Sequence, residues 1–272
     1  VSPRSPAGLI FMAVFRVGRG AGVVILGALA AWAGPVSACP IAGMGIETDR
    51  PDVTNSSLVV PRGSLQAENG MNLTGRGTTA GADGTNTRLR LGVAECTEIL
   101  VDMPSYARAV HGDGNSGFSD VSPAVKRQFE GLPGGITMSA VAGLGLPTGD
   151  RPFGGRGYAP YLQVPWEAAF SPGWHVSGMA TAFFRPGDSR RNPTFEPTLV
   201  IGHEVDERLD VFLEYVGDYP AGSRPSHLLN SGVAFRLTPL QQIDFHAAAG
   251  LSDAAPDCIV GIGYSIRLDG LF

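Results

Sequence analysis

The chain has 272 residues, a formal net charge of −5, 17% charged residues, 38 glycines and 21 prolines. That length suits one sizeable β domain, and so much glycine and proline suits many turns rather than a helical protein. A net acidic chain without basic blocks argues against nucleic acid as a partner. No run reaches the ~18 apolar residues of a membrane helix, so any passage through a membrane must be as a closed barrel.

The amino terminus reads as a targeting segment. Arg16 and Arg19 precede the apolar run Ala21 to Ala33, and Pro35-Val36-Ser37-Ala38 places small residues before a cleavage point. This is the layout of a secretory signal peptide over residues 1–38. Met12 is a natural start, so Val1 to Phe11 are read as an artefact of the assigned start. Removing the segment takes away three arginines and no acid, which moves the net charge from −5 to −8. Val36-Ser37-Ala38-Cys39 also has the look of a lipoprotein processing box, with Val where Leu is usual. Cys39 is either the first residue of the mature chain, which the pattern favours, or a lipidated one. Three cysteines make no disulfide framework, and Cys96 and Cys258 are expected at opposite barrel ends, beyond disulfide reach.

Residues 39–64 are polar, punctuated by proline and without periodicity; they are read as a periplasmic or plug segment. From Leu65 onward a period of two sets in, which belongs to strands. The first strand sets Leu65, Ala67, Met71 and Leu73 against Gln66, Glu68, Gly70 and Asn72. The spacing repeats through twelve runs, with Pro123 and Arg127 weakening the fourth. The last run is Val260 to Phe272, with Tyr264, Ile266, Leu268 and Phe272 on its apolar side and Arg267 and Asp269 opposite. An apolar face opposed to a small or charged face is what a membrane β-barrel needs between lipid and a wet lumen. The closing strand with its terminal Phe272 resembles the signal read by outer-membrane barrel-assembly machinery. Trp166 and Trp174 flank a short turn and suit an interfacial girdle.

Links after odd strands are long (Thr74–Asn86, Pro104–Asp120, Pro147–Tyr158, Arg185–Thr194, Gly217–Leu228, Ser252–Asp257), and those after even strands are short. Long loops outside and tight turns on the periplasmic side are the outer-membrane pattern. The expected fold is all-β, an antiparallel up-and-down barrel over residues 65–272.

The inward faces carry Arg88, Arg90, Glu98, Asp102, Lys126, Glu167, Asp210, Glu214, Arg236, Asp244, His246, Arg267 and Asp269. They form either a solvated, ion-paired filling or a narrow polar path, since barrel interiors are polar in both cases. Glu47, Asp49 and Arg50 are the sharpest local cluster. One reading folds Ile46 to Pro61 into the lumen, with Asp49 and Arg50 paired to Arg88, Arg90 or Asp244; the other leaves a disordered tail.

Catalysis finds little support. A lipase of the outer-membrane phospholipase kind needs Ser and His together on the lipid face. Of the five histidines only His203 has outward parity within a strand, and no Ser stands beside it there. His203-Glu204 alternates faces and cannot chelate one metal ion, no Cys-x-x-Cys or His-Glu-x-x-His motif occurs, and no cofactor is implied.

Three groups of motifs carry a resemblance. They are Ile46-Glu47-Thr48-Asp49-Arg50-Pro51-Asp52-Val53-Thr54 with Val60-Pro61-Arg62-Gly63-Ser64-Leu65-Gln66-Ala67-Glu68, then Leu89-Arg90-Leu91-Gly92-Val93, then Gly117-Phe118-Ser119-Asp120-Val121 with Leu146-Pro147-Thr148-Gly149-Asp150. Together they resemble the outer-membrane barrels of the transporter-like, meta-pathway of phenol degradation family, with Cys96 standing where that family carries a polar residue. The resemblance implies uptake or exchange of small apolar or aromatic compounds. A structural or adhesive barrel with a closed lumen is the alternative, and an enzymatic barrel the third. Outer-membrane lipid is the other expected partner.

Overall fold

The computed structural model describes residues 45–111, 114–129, 132–184 and 193–272. The signal peptide, the start site and Cys39 lie outside the described residues.

The strands are β1 (Leu65–Arg76), β2 (Thr79–Ala94), β3 (Thr97–Asp102), β4 (Tyr106–His111), β5 (Ser116–Phe118), β6 (Ser122–Phe129), β7 (Thr137–Gly145), β8 (Ala159–Ser171), β9 (Trp174–Phe183), β10 (Thr194–Glu204), β11 (Leu209–Asp218), β12 (Ser226–Thr238), β13 (Gln241–Gly250) and β14 (Cys258–Leu268). Each pairs antiparallel with its neighbour, and β1 pairs with both β2 and β14, which closes the ring. β3 and β4 lie end to end along β2, and β5 and β6 lie beside them. The fourteen strands therefore form twelve staves, closed into a ring by the β1–β2 and β1–β14 pairings.

Burial runs opposite to that of a water-soluble domain. Met71, Leu73, Leu199, Ile201, Leu213, Phe245 and Ile262 are exposed on the outer surface, while Gln66, Glu68, Glu98, Lys126, Glu214 and Asp244 are 0% exposed inside. Closure explains the inside, since every second residue of a stave must point at the axis. A lipid surround accounts for the outside.

Two expected loops are largely strand. The link expected over Thr74–Asn86 is a hairpin, with β1 running to Arg76 and β2 starting at Thr79. The link expected over Pro104–Asp120 contains β4 and β5. The first of these, Thr-Thr-Ala-Gly-Ala-Asp-Gly-Thr-Asn, lacks an apolar face because a stave projecting beyond lipid needs none. The closing strand is shorter than expected. β14 ends at Leu268, and Gly270 at φ +75° turns the chain so that the Leu271 amide donates to the Gly63 carbonyl. Tyr264 and Leu268 face outward from β14, and Ile266 is half-buried; Phe272 is exposed beyond the strand.

The two motifs of the third group, Gly117 to Val121 and Leu146 to Asp150, lock together where stave pairing lapses, between Asp102–Tyr106 and Phe118–Ser122. Asp120 accepts from the amides of Thr148, Gly149 and Gly155, at 3.1, 2.8 and 2.7 Å. Asp150 in turn accepts from the Phe118 amide at 2.9 Å, and Val121 pairs with Leu146. The loop after β7 thereby splints the break between β5 and β6.

Candidate functional site

Residues 45–64 run inside the ring. Gly45 accepts from Arg267 on β14, and the Ile46 amide donates to Pro239 in the β12–β13 turn, both at the short-turn end. The chain climbs to Arg50, bends through Pro51-Asp52-Val53, and descends to Val60 and Gly63 beside Gly92. On the way it bonds to Gln66 and Glu68 (β1), Arg90 (β2), Glu98 (β3), Gln128 (β6), Thr137 (β7), Gln163 (β8), Thr198 (β10), Glu214 (β11) and Asp244 (β13). With β14 that makes ten of the twelve staves. Only a segment within the lumen can reach side chains pointing inward from all of them.

Asp49 is the charge centre. It is buried, 3.0 Å from Arg88, 3.4 Å from Arg90 and 3.4 Å from Lys126. Burial alone would raise its pKa, but Arg90, Lys126 and Arg88 hold its carboxyl well below the usual carboxylate range. Around it Arg90 meets Glu68 and Glu98 at 3.1 Å each, Lys126 meets Glu98 at 3.5 Å, and Arg88 meets Asp102 at 2.6 Å. Buried charges persist only when paired in this way.

Arg50, the next residue, turns toward β13 and lies 3.2 Å from Asp244. Its guanidinium occupies a slot left by Gly70 and Gly263, which face each other across β1 and β14; a β-carbon at either would overlap it. Glu214, which has no basic partner within salt-bridge distance among the described residues, accepts instead from the segment. The Val53 and Thr54 amides donate at 2.9 Å each and the Thr54 hydroxyl at 2.8 Å, with Asn230 adding 2.9 Å.

The other singled-out residues are spread along the wall. Asp210 pairs with Arg236 at 2.7 Å and Arg267 with Asp269 at 2.8 Å. Glu167 faces a cavity with Glu47, Asp52, Glu204 and Asp210. Burial pushes the Glu47 carboxyl up to about 7 against the pull of Arg236, with Glu167 and Asp210 adding to the rise. Asp52 is raised too, by burial and then by Glu214. His246 bridges Asn230 and Asn72, at 3.2 and 3.1 Å.

The inward charges singled out from the sequence do not include Glu68, and the neutral anchors Gln66, Gln128, Gln163, Thr137, Thr198 and Gln242 carry no charge to draw attention to them. Their inward parity was the available signal. Cys96 sits buried in the β2–β3 turn at φ +55°, against Val59 and Leu58, and is disulfide-bonded; Cys258 is a free, exposed thiol. His203 stacks on Trp174 with ring centroids 4.2 Å apart, and its Nδ1 lies 2.9 Å from the Gly173 carbonyl. That places the ring in packing rather than beside a nucleophile.

Two cavities remain beside the segment. One of about 310 Å³ lies toward the long-loop end, between the segment and the wall of β1 to β6, with Asn86, Arg88, Asp102 and Ser105 in its lining. The other, of about 140 Å³, lies toward the short-turn end against β8 to β13.

Among solved structures the fold is similar to an outer membrane channel from Pseudomonas putida F1, at 13% identity and TM-score 0.61, covering 80% of this chain and all of that one. It is also similar to the KdgM porin in complex with disordered oligogalacturonate (6% identity, TM-score 0.50, 76% of this chain and 99% of that one). The NanC porin compares at 8% identity and TM-score 0.50, over 75% of this chain and 100% of that one. These neighbours are channels and porins, and identities so low speak for the fold alone. A comparison with curated proteins finds no match. Residues 48–268 match the family described as "Putative MetA-pathway of phenol degradation", so the chain belongs to that family of outer-membrane barrels.

Proposed function

We propose that the protein is an outer-membrane channel for passive passage of small molecules, working without a chemical step. The observation that carries this reading is a closed ring whose polar interior keeps two open cavities beside the inserted segment. In this reading a signal peptide directs export, assembly machinery recognises the closing strand, and the short-turn end faces the periplasm. Selectivity comes from what residues 45–64 leave open.

A closed structural barrel is the second reading, favoured by the number of staves that bind the segment. Proteoliposome swelling separates the two. A channel admits pentose-sized solutes faster than protein-free liposomes do; swelling no faster than in empty liposomes would sink the channel reading.

A further inference from the structure

The two cavities have just three lining residues in common: Arg50, Asp52 and Asn55. From this we infer that these three side chains form the constriction of the path and that its permeants are small solutes bearing hydrogen-bonding groups rather than hydrocarbons. The inference rests on the channel reading above.

Two of the three are tied to the wall. Arg50 is held by Asp244 at 3.2 Å, and Asn55 donates to Gln163 at 3.0 Å while accepting from Arg88 at 2.8 Å. Asp52 sits at the bend between them with no ion pair and no hydrogen bond to another side chain among the described residues. It is the member not tied to the wall, and its rotation opens one chamber to the other without withdrawing the segment.

The linings set the class of permeant. Asp49, Glu68, Arg88 and Asp102 face the larger chamber, and Glu167, Asp210 and Arg236 the smaller. A hydrocarbon entering either would strip water from ionised groups and return no hydrogen bond. A polyol or a hydroxylated ring replaces that water. Size follows from volume: an apolar cavity of about 150 Å³ holds benzene, so the smaller chamber accepts a solute of about one ring.

The test uses the full-length protein in proteoliposomes, comparing wild type with Asp52→Ala, Asn55→Ala and the exposed-loop control Asp253→Ala. Heat-modifiable gel migration verifies that each barrel is folded. Arabinose influx is expected to rise several-fold in Asp52→Ala and Asn55→Ala and to stay unchanged in Asp253→Ala. Xylitol should compete with arabinose, and toluene should not. A leak that appears only in the two constriction variants would support the partition while rejecting an open wild-type channel. Wild-type influx unaltered by Asp52→Ala overturns the constriction, and toluene competing as well as xylitol overturns the permeant class. If neither wild type nor variants admit arabinose, the channel reading falls and this inference with it.

Discussion

Replacing Glu214 by Ala removes the acceptor that pins the tip of the inserted segment. In the structure its buried carboxylate takes three donors from residues 53 and 54, at 2.8 to 2.9 Å, and no cation lies within salt-bridge distance of it among the described residues. A hydrogen bond to an ionised group contributes about 1.5–3 kcal/mol, so the gross loss is roughly 5–9 kcal/mol. Water entering the adjacent cavity will satisfy the freed amides in part. A net loosening of about 3 kcal/mol is a sensible working figure, or roughly a hundredfold in the opening equilibrium. Hydrogen exchange of the detergent-solubilised protein reads this directly. The Val53 and Thr54 amides should exchange on the order of a hundred times faster in Glu214→Ala, while amides of the β10–β11 and β11–β12 ladders keep their protection. Glu214→Gln keeps one acceptor oxygen but turns an amide group toward the donors, so it should fall between. If protection at Val53 and Thr54 survives Glu214→Ala, Glu214 does not hold the segment and the docking scheme is wrong.

Asp49→Asn removes one of the two anions that Arg90 and Lys126, both 0% exposed, share, and leaves them Glu98. Breaking a buried pair from one side costs about 3–5 kcal/mol, so the thermal midpoint should drop by several degrees, and adding Lys126→Met should recover part of the loss. Glu47 gives a pH dependence with a definite sign. Its docked carboxyl titrates at about 7 against 4.5 when free, so docking is strongest below about 4.5, weakens as the pH rises to about 7, and is flat above. Roughly 3 kcal/mol is lost across that window, and Glu47→Gln should flatten this part of a stability-versus-pH curve. For the cysteines, Cys258 should alkylate without reduction and Cys96 only after it. An unreduced digest is expected to hold the Cys96 peptide in a disulfide-linked species that reduction releases; a free Cys96 thiol before reduction would contradict this.

The staves were legible because oil imposes a period of two on whatever crosses it, and Leu65, Ala67, Met71 and Leu73 obey it. Where the staves rise past the lipid, as in Thr79–Asn86, nothing enforces an apolar face and the strand reads as loop. Gly270 broke the closing strand through a backbone conformation that hydropathy does not register. Inside the barrel, parity identified the wall charges, yet it says nothing about height around a ring or about which charge a non-periodic segment will meet. Thus Asp49 and Arg50 were visible as a cluster, whereas the neutral anchors Gln128, Gln163 and Thr198 matter only because a particular bend brings backbone amides and hydroxyls to them.

The order Asp49-Arg50 acquires meaning from the wall that surrounds it. On the side of β1, β2, β3 and β6 the buried groups Arg88, Arg90 and Lys126 face Glu68, Glu98 and Asp102, a balanced set into which one more carboxylate fits because it lies within 3.4 Å of all three cations. On the side of β11 and β13, Asp244 and Glu214 have no wall cation in contact among the described residues, and the segment meets them with the Arg50 guanidinium and with backbone amides. Adjacent residues of opposite sign therefore point to different stretches of the wall, Asp49 toward the cations of β2 and β6 and Arg50 toward Asp244 of β13. The Gly70–Gly263 slot adds a steric requirement at the one place where the longer side chain must lie flat. A tail lodged by chance would need none of this complementarity. Charge and shape together specify a single way for residues 45–64 to sit, which makes the segment a part of the barrel's interior and not a guest in it.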